Sequence, residues 1–161
     1  AAAGDTLHAS AHAQVVALNP FRTPSGMPAS GENLNEASLV LRVTDGPLSI
    51  LLAGDAESAA ERACLVNSPA AKILKIPHHG SDTSSSEEFL NGVHPECAVI
   101  SVGEQNRFKH PSPQVLERLA RKNIKVLSTA KDGTVLMYWS DPSDKTPCIR
   151  TFPPRARLEL E

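Results

Sequence analysis

Short apolar runs alternate along this chain with segments whose apolar residues fall at helical spacing. Gln14–Leu18 reads as a short strand. Asn19–Gly31 carries Pro20, Pro24, Gly26, Pro28 and Gly31, which predicts a surface loop. The runs Ser38–Val43 and Leu48–Ala53 flank Asp45-Gly46, a pair that favours a tight hairpin turn. Pro47 has no donor for a ladder, so it must stand at a strand's first position or edge. After Gly54-Asp55, Ala56–Val66 places Ala60, Cys64 and Leu65 on one helical face. Ile73–Ile76 is a short strand stopped by Pro77, and Ser81–Ser86 is a polar turn. Ser85 and Glu88 have the spacing of a capping box, which predicts a helix through Leu90. Ala98–Val102 is a strand. Ser112-Pro113 starts a helix with Val115, Leu116 and Leu119 inward. Arg118, Arg121 and Lys122 sit near its C-terminal end, where the helix dipole favours cations. Ile124–Leu127 and Thr134–Trp139 read as strands around a turn at Lys131–Gly133, and Cys148–Phe152 as a last edge strand.

Strands thus alternate with helices in the middle and neighbour one another at both ends. That order predicts a mixed sheet with helices on at least one face. The 161 residues suit one compact domain or slightly less, and 40% hydrophobic content suits one core. With 4% aromatics, Leu, Ile, Val and Ala must fill it. The net charge of −2 gives no general field for nucleic acid, so any such binding must be local. Cys64, Cys97 and Cys148 are odd in number and lack CxxC spacing, which argues for buried thiols over disulfides or a zinc knuckle. No apolar run has membrane-spanning length and no signal peptide is visible. The chain is expected to be cut from a longer protein, with 1–157 as domain and 158–161 as a vector-derived tail.

Three strand ends carry the candidate chemistry. Leu51–Asp55 delivers a glycine and a carboxylate where a helix begins. Asp55 suits either a ligand site at the sheet edge or the cap of that helix. Ile73–Ser81 ends in His78, His79 and Gly80. Imidazoles supply metal ligands or a general acid or base, and the two rings should point apart in an extended segment. Val99–Gly103 is followed by Asn106, Arg107, Phe108, Lys109 and His110, whose polar groups suit phosphate. His8, His12 and His94 have no such setting. No GxSxG, P-loop or GxGxxG motif occurs.

Taken with Asn35–Arg42, these segments resemble successive motifs of the metallo-β-lactamase-like domain of the ComEC-type competence DNA-uptake family, from about Val15 to Met137. Leu52–Asp55 followed by Pro77–Ser81 is the most specific part, although free-standing hydrolases of the fold share it. The resemblance implies an αββα sandwich, two divalent metals (zinc or manganese), and water-driven cleavage of a phosphodiester. It implies Asp55 as bridging carboxylate and His79, in preference to His78, as a second metal ligand. His78 and His110 are then catalytic, facing the substrate and its leaving oxygen. Asn35, Ser38, Ser81, Asn106 and Arg107 are expected to contact substrate or shape its pocket.

The sequence also departs from the family pattern. The HxHxDH motif is absent, and Lys109 stands where a glycine is expected before His110. The chain therefore reads as the C-terminal half of the domain, binding catalytic metal weakly or not at all. The resemblance implies a parent protein in the bacterial inner membrane, with DNA, the channel and the N-terminal half of the domain as partners. The isolated chain is expected to self-associate through the face that half would cover. Three functions follow: a nuclease linked to DNA uptake, a free-standing hydrolase of a small phosphodiester or ester, or a non-catalytic binding module.

Overall fold

The computed structural model describes residues 1–21, 34–139, 141, 144 and 146–153. Seven strands lie side by side in sequence order. These are β1 (Thr6–Ala9), β2 (Ala13–Asn19), β3 (Val40–Asp45), β4 (Leu48–Leu52), β5 (Ile73–Lys75), β6 (Cys97–Ile100) and β7 (Lys125–Ser128). The pairs from β1 to β4 are antiparallel, and those from β4 to β7 are parallel. Helices α1 (Ser58–Leu65), α2 (Glu87–Val93) and α3 (Pro113–Arg121) form the crossovers between the parallel strands. A short helix α4 (Thr129–Asp132) leads into a separate antiparallel pair, β8 (Thr134–Tyr138) and β9 (Cys148–Phe152).

The strand register explains the core. Leu51, Leu74 and Ala98 are lateral neighbours, so their side chains share one face of the pleat. That face gathers Ala60 and Cys64 of α1, Phe89, Leu90 and Val93 of α2, and Val115 and Leu119 of α3 into one buried cluster. The other face carries the row Val43–Ile50–Ile73–Cys97 and the row Leu41–Leu52–Lys75–Val99. None of these joins the helix-covered cluster, and Leu52 is exposed. Among the described residues, no helix is long and apolar enough to cross a membrane.

Most expected elements appear, with instructive shifts. The Asp45-Gly46 hairpin forms, and Pro47 lies in its turn rather than in a strand. Ser112 caps α3 as expected, its Oγ accepting from Val115 N. The capping box at Ser85 does not form. Ser86 caps α2 instead, accepting from Phe89 N, and the helix runs on to Val93. Lys131 and Asp132 belong to α4 rather than to a plain turn. Strand β1 was not expected, because its four residues are all exposed and show no alternation. The thiols divide: Cys64 and Cys97 are buried, while Cys148 is exposed. Burial pushes the Cys64 thiol up to about 12, so it stays protonated and inert. Most of the expected loop Asn19–Gly31, and the tail 158–161, lie outside the described residues.

Candidate functional site at the carboxyl edge of the sheet

Because β4, β5, β6 and β7 are parallel, their C-terminal ends open on one edge. Ligand sites in such sheets form there. The three motif-bearing segments, separate in sequence, meet at this edge.

Asp55 follows β4. It does not cap α1: the cap position is Glu57, and no side chain caps from there. Glu36 does that work from the turn Leu34–Ala37, its carboxylate accepting from Ala59 N and Ala60 N. The Asp55 carboxylate instead faces His79, with Oδ1 3.7 Å from Nε2. Ser38 holds this turn, its Oγ accepting from Asp55 N at 3.2 Å. Gly54 has φ +55, and Lys75 Nζ donates to its carbonyl. Burial lowers the Lys75 pKa, with the Asp55 charge acting in the opposite sense.

His78 and His79 follow β5 in a tight left-handed turn, with φ +46 and +54. The extended segment expected from sequence is not present. Left-handed backbone is uncommon for residues with a Cβ and costs on the order of 1 kcal/mol each. The surroundings impose it: His78 N donates to Gly54 O, Ser81 N donates to His78 O, and Ser84 Oγ donates to Pro77 O. The rings still diverge as expected. His79 turns to Asp55, and His78 turns to Glu57, its Nδ1 3.1 Å from Oε1. Asn35 Nδ2 donates to the same Glu57 oxygen.

The His79 tautomer follows from its partner. Nδ1 lies 2.6 Å from Ser101 O, and a carbonyl only accepts, so Nδ1 carries the hydrogen. In the neutral ring Nε2 then presents its lone pair to a carboxylate oxygen. Two Lewis bases facing one another beyond hydrogen-bond reach match a pair of cation ligands, and a carbonyl on the other ring nitrogen is the usual support for a metal-bound histidine. Among the described residues, however, no group of three or more His, Cys, Asp or Glu is placed so that it could hold a metal ion.

The loop after β6 closes the site. Asn106 is its internal clamp: Nδ2 donates to Gly103 O and His110 O, and Oδ1 accepts from His110 N. Lys109 has φ +56. This is the backbone state in which glycine is favoured, which accounts for the glycine expected there. His110 packs edge-on to His78, with centroids 5.9 Å apart, and stacks on Phe108. Burial lowers the His110 pKa, helped by His78 and His79 and opposed by Asp82. Arg107 lies over the Phe108 ring. A cleft of about 370 Å³ is lined by His79, Ser101, Gly103, Asn106, Phe108 and His110, among others. Ser81 is buried and pairs with Thr83 inside its own turn.

Sequence reasoning did not single out Glu57, Glu36, Glu61 or Phe108. Glu57 stands two residues past Asp55, and that proximity was the available signal. Glu61 is fully buried on α1, where its carboxylate accepts from Ser85 N and, at 2.9 Å, from Ser86 N. Arg118 of α3 donates to the carbonyls of Ser84 and Ser85. Together they fasten the loop that follows the histidines.

No family model matches the chain. It is 42% identical over 103 residues to ComE operon protein 3 of Bacillus subtilis (strain 168), covering 63% of this chain and 13% of that protein. It is 43% identical over 101 residues to Recombination protein 2 of Haemophilus influenzae, again 63% and 13%. It is 38% identical over 113 residues to Competence protein ComA of Neisseria gonorrhoeae, 67% and 16%. The chain therefore spans only a small part of the curated relatives it matches. The crystal structure of a Parabacteroides distasonis protein described as a metal-dependent hydrolase superposes with TM-score 0.51 at 14% identity, over 80% of this chain and 56% of that one. That likeness concerns the fold. The mixed sheet with flanking helices is the fold shared with that hydrolase, and in sequence the chain is similar to one segment of the competence proteins.

Proposed function

We propose that residues 1–157 form the C-terminal part of a metal-dependent phosphodiesterase domain that acts on DNA during uptake in natural competence. The observation that carries this reading is the Asp55–His79 pair, two donors facing at 3.7 Å with the histidine tautomer set by Ser101. The pair fits part of a metal site. A zinc-type ion takes about four ligands, so the other donors belong to a preceding HxHxDH segment. Bound there, two zinc or manganese ions would supply a deprotonated water and neutralise phosphate charge.

The chain's own residues have distinct tasks in this reading. Asp55, through its carboxylate, and His79, through Nε2, would hold the ions. His78, oriented by Glu57, and His110, oriented by Asn106, face the phosphodiester and its leaving oxygen. Ser38 sets the Asp55 turn, and Asn35 sets Glu57. Ser81 shapes the histidine turn, while Arg107 contacts phosphate and Asn106 holds that loop. The sheet face bearing Leu41, Val43, Ile50 and Leu52 packs against the preceding half of the domain. Without that half, the chain self-associates and binds catalytic metal weakly. The intact parent is an inner-membrane protein whose channel is the partner in cis.

The test is metal-dependent cleavage of labelled single- and double-stranded DNA. It compares the domain extended upstream, its Asp55→Ala variant, and this chain. Cleavage by the extended domain alone is expected, with Asp55→Ala losing more than the ~10–100-fold typical of outer-shell changes. A folded extended domain that cleaves nothing with any divalent ion would leave a non-catalytic DNA- or partner-binding module. The cleft also has the size of a small-molecule site, which favours a small phosphodiester or ester as the second reading. Turnover of such an ester without DNA cleavage would establish it.

A further inference from the structure

We propose that Phe108, with Arg107 beside it, is a stacking platform for a nucleobase of single-stranded DNA at the rim of the cleft. This rests on the reading of DNA as substrate and adds the form of DNA that the site takes.

Phe108 is one of only four phenylalanines in the chain, and it is 63% exposed. A lone exposed phenylalanine needs no explanation. This one is held in a built arrangement. Its ring runs nearly parallel to the His110 ring, at 13° with centroids 5.7 Å apart. The Arg107 guanidinium carbon lies 4.7 Å from its centroid. The phenyl ring is thus held against an imidazole and a guanidinium while most of its surface stays open to a ligand.

The loop that carries the row is fixed before any ligand arrives. Both ends of the Asn106 amide are used in tying it down, and Lys109 N donates to Asn106 O. Little conformational freedom is left to lose on binding, which favours affinity. Phe108 also lines the same cleft as His79. A strand with one base on Phe108 therefore runs its backbone past the edge where Asp55 and His79 face each other.

Charge points the same way. Arg107 and Lys109, both exposed, flank Phe108, although Glu104 in the same loop offsets one of them. In a chain of net charge −2, this local pair is where a phosphate backbone finds cations. Aromatic platforms flanked by cations bind single strands with little sequence preference, because every base has a flat face. A duplex keeps its bases stacked on one another and cannot offer one to Phe108 without unpairing.

The experiment is fluorescence anisotropy of this chain with a labelled mixed-sequence single-stranded oligonucleotide in EDTA, so that binding is read without cleavage. Phe108→Leu is expected to weaken binding roughly 5- to 150-fold, the fold-change for one stacked base. Phe108→Trp should keep or tighten it, and Arg107→Gln should weaken it and flatten its salt dependence. The matching duplex should bind more weakly and be insensitive to Phe108. Equal binding by wild type and Phe108→Leu overturns the proposal, as does equal binding of duplex or no binding of DNA at all. The two readings can fail separately. Phe108-dependent binding with no cleavage by the extended domain sinks the nuclease reading alone. Cleavage with KM unchanged in Phe108→Leu sinks the platform alone.

Discussion

Gly80 occupies a position that admits no side chain. Its φ is +87, and a Cβ there would lie 2.6 Å from the Pro111 Cβ and 3.1 Å from the Pro111 Cα. Its carbonyl accepts from Ser112 N, so the histidine turn and the start of α3 press together at this point. Gly80→Ala is expected to cost about 1–3 kcal/mol, from overpacking and a left-handed backbone. A lower urea midpoint with an unchanged m-value checks it, and an unchanged midpoint would refute the packing argument. From sequence alone this glycine stands out, since it follows two histidines at a strand end, but the sequence has a limit here. It could not show that the neighbour it must avoid is a proline more than thirty residues away. Asp55 illustrates the same limit. The local pattern favoured a cap over a ligand, and the cap reading fails because Glu36 takes those amides from another segment.

At the level of elements, one buried carboxylate joins two of them. Glu61 on α1 accepts from Ser85 N and Ser86 N, while Arg118 on α3 holds the carbonyls of Ser84 and Ser85. Ser84 in turn donates to Pro77 O, just ahead of His78. Glu61→Gln replaces one acceptor with a donor facing an N–H. The expected loss is about 1–3 kcal/mol, the cost of a buried unpaired group. The pH dependence has a definite sign. Burial raises the Glu61 pKa above its ordinary value of 4.5, outweighing the hydrogen bonds and Arg118 that lower it. A raised folded-state pKa gives stability that is full below the unfolded value and is lost as pH rises through the folded one. The stability gap between wild type and Glu61→Gln should therefore narrow as pH climbs from 4.5. Denaturation series at several pH values check this, and a gap that widens would show the hydrogen bonds and the Arg118 charge to outweigh burial. This tie also explains why the capping box failed. Ser85 has φ +57 and its N–H is taken by Glu61, so the cap moves to Ser86.

On the scale of the whole molecule, stability should be uneven. Strands β4 to β7 have lateral partners and helices packed on the Leu51, Leu74 and Ala98 face. The β8–β9 pair stands apart from that sheet, and its residues are exposed or half-buried. Amides of β8 and β9 are expected to exchange with deuterium well before those of β5 and β6, which should open only with global unfolding. Uniform protection across both sheets would contradict this.

The sequence by itself determined the alternation of elements, the hairpin at Asp45-Gly46, the start of α3 at Ser112-Pro113, and which strand ends carry Asp55, His78, His79 and His110. Those features are local: they depend on residue spacing, turn chemistry and caps within a few positions. Tertiary structure decided the rest. It ran β4 to β7 parallel, so three distant strand ends share one edge, and it bent the histidines into a left-handed turn under bonds from Gly54, Ser81 and Ser84. It also aimed His79 Nε2 at Asp55 through the carbonyl of Ser101. Beyond the local bonds of Ser81 and Ser84, those outcomes depend on partners more than twenty residues apart, such as Gly54 with His78 and Ser101 with His79, whose meeting is set by burial of the common core.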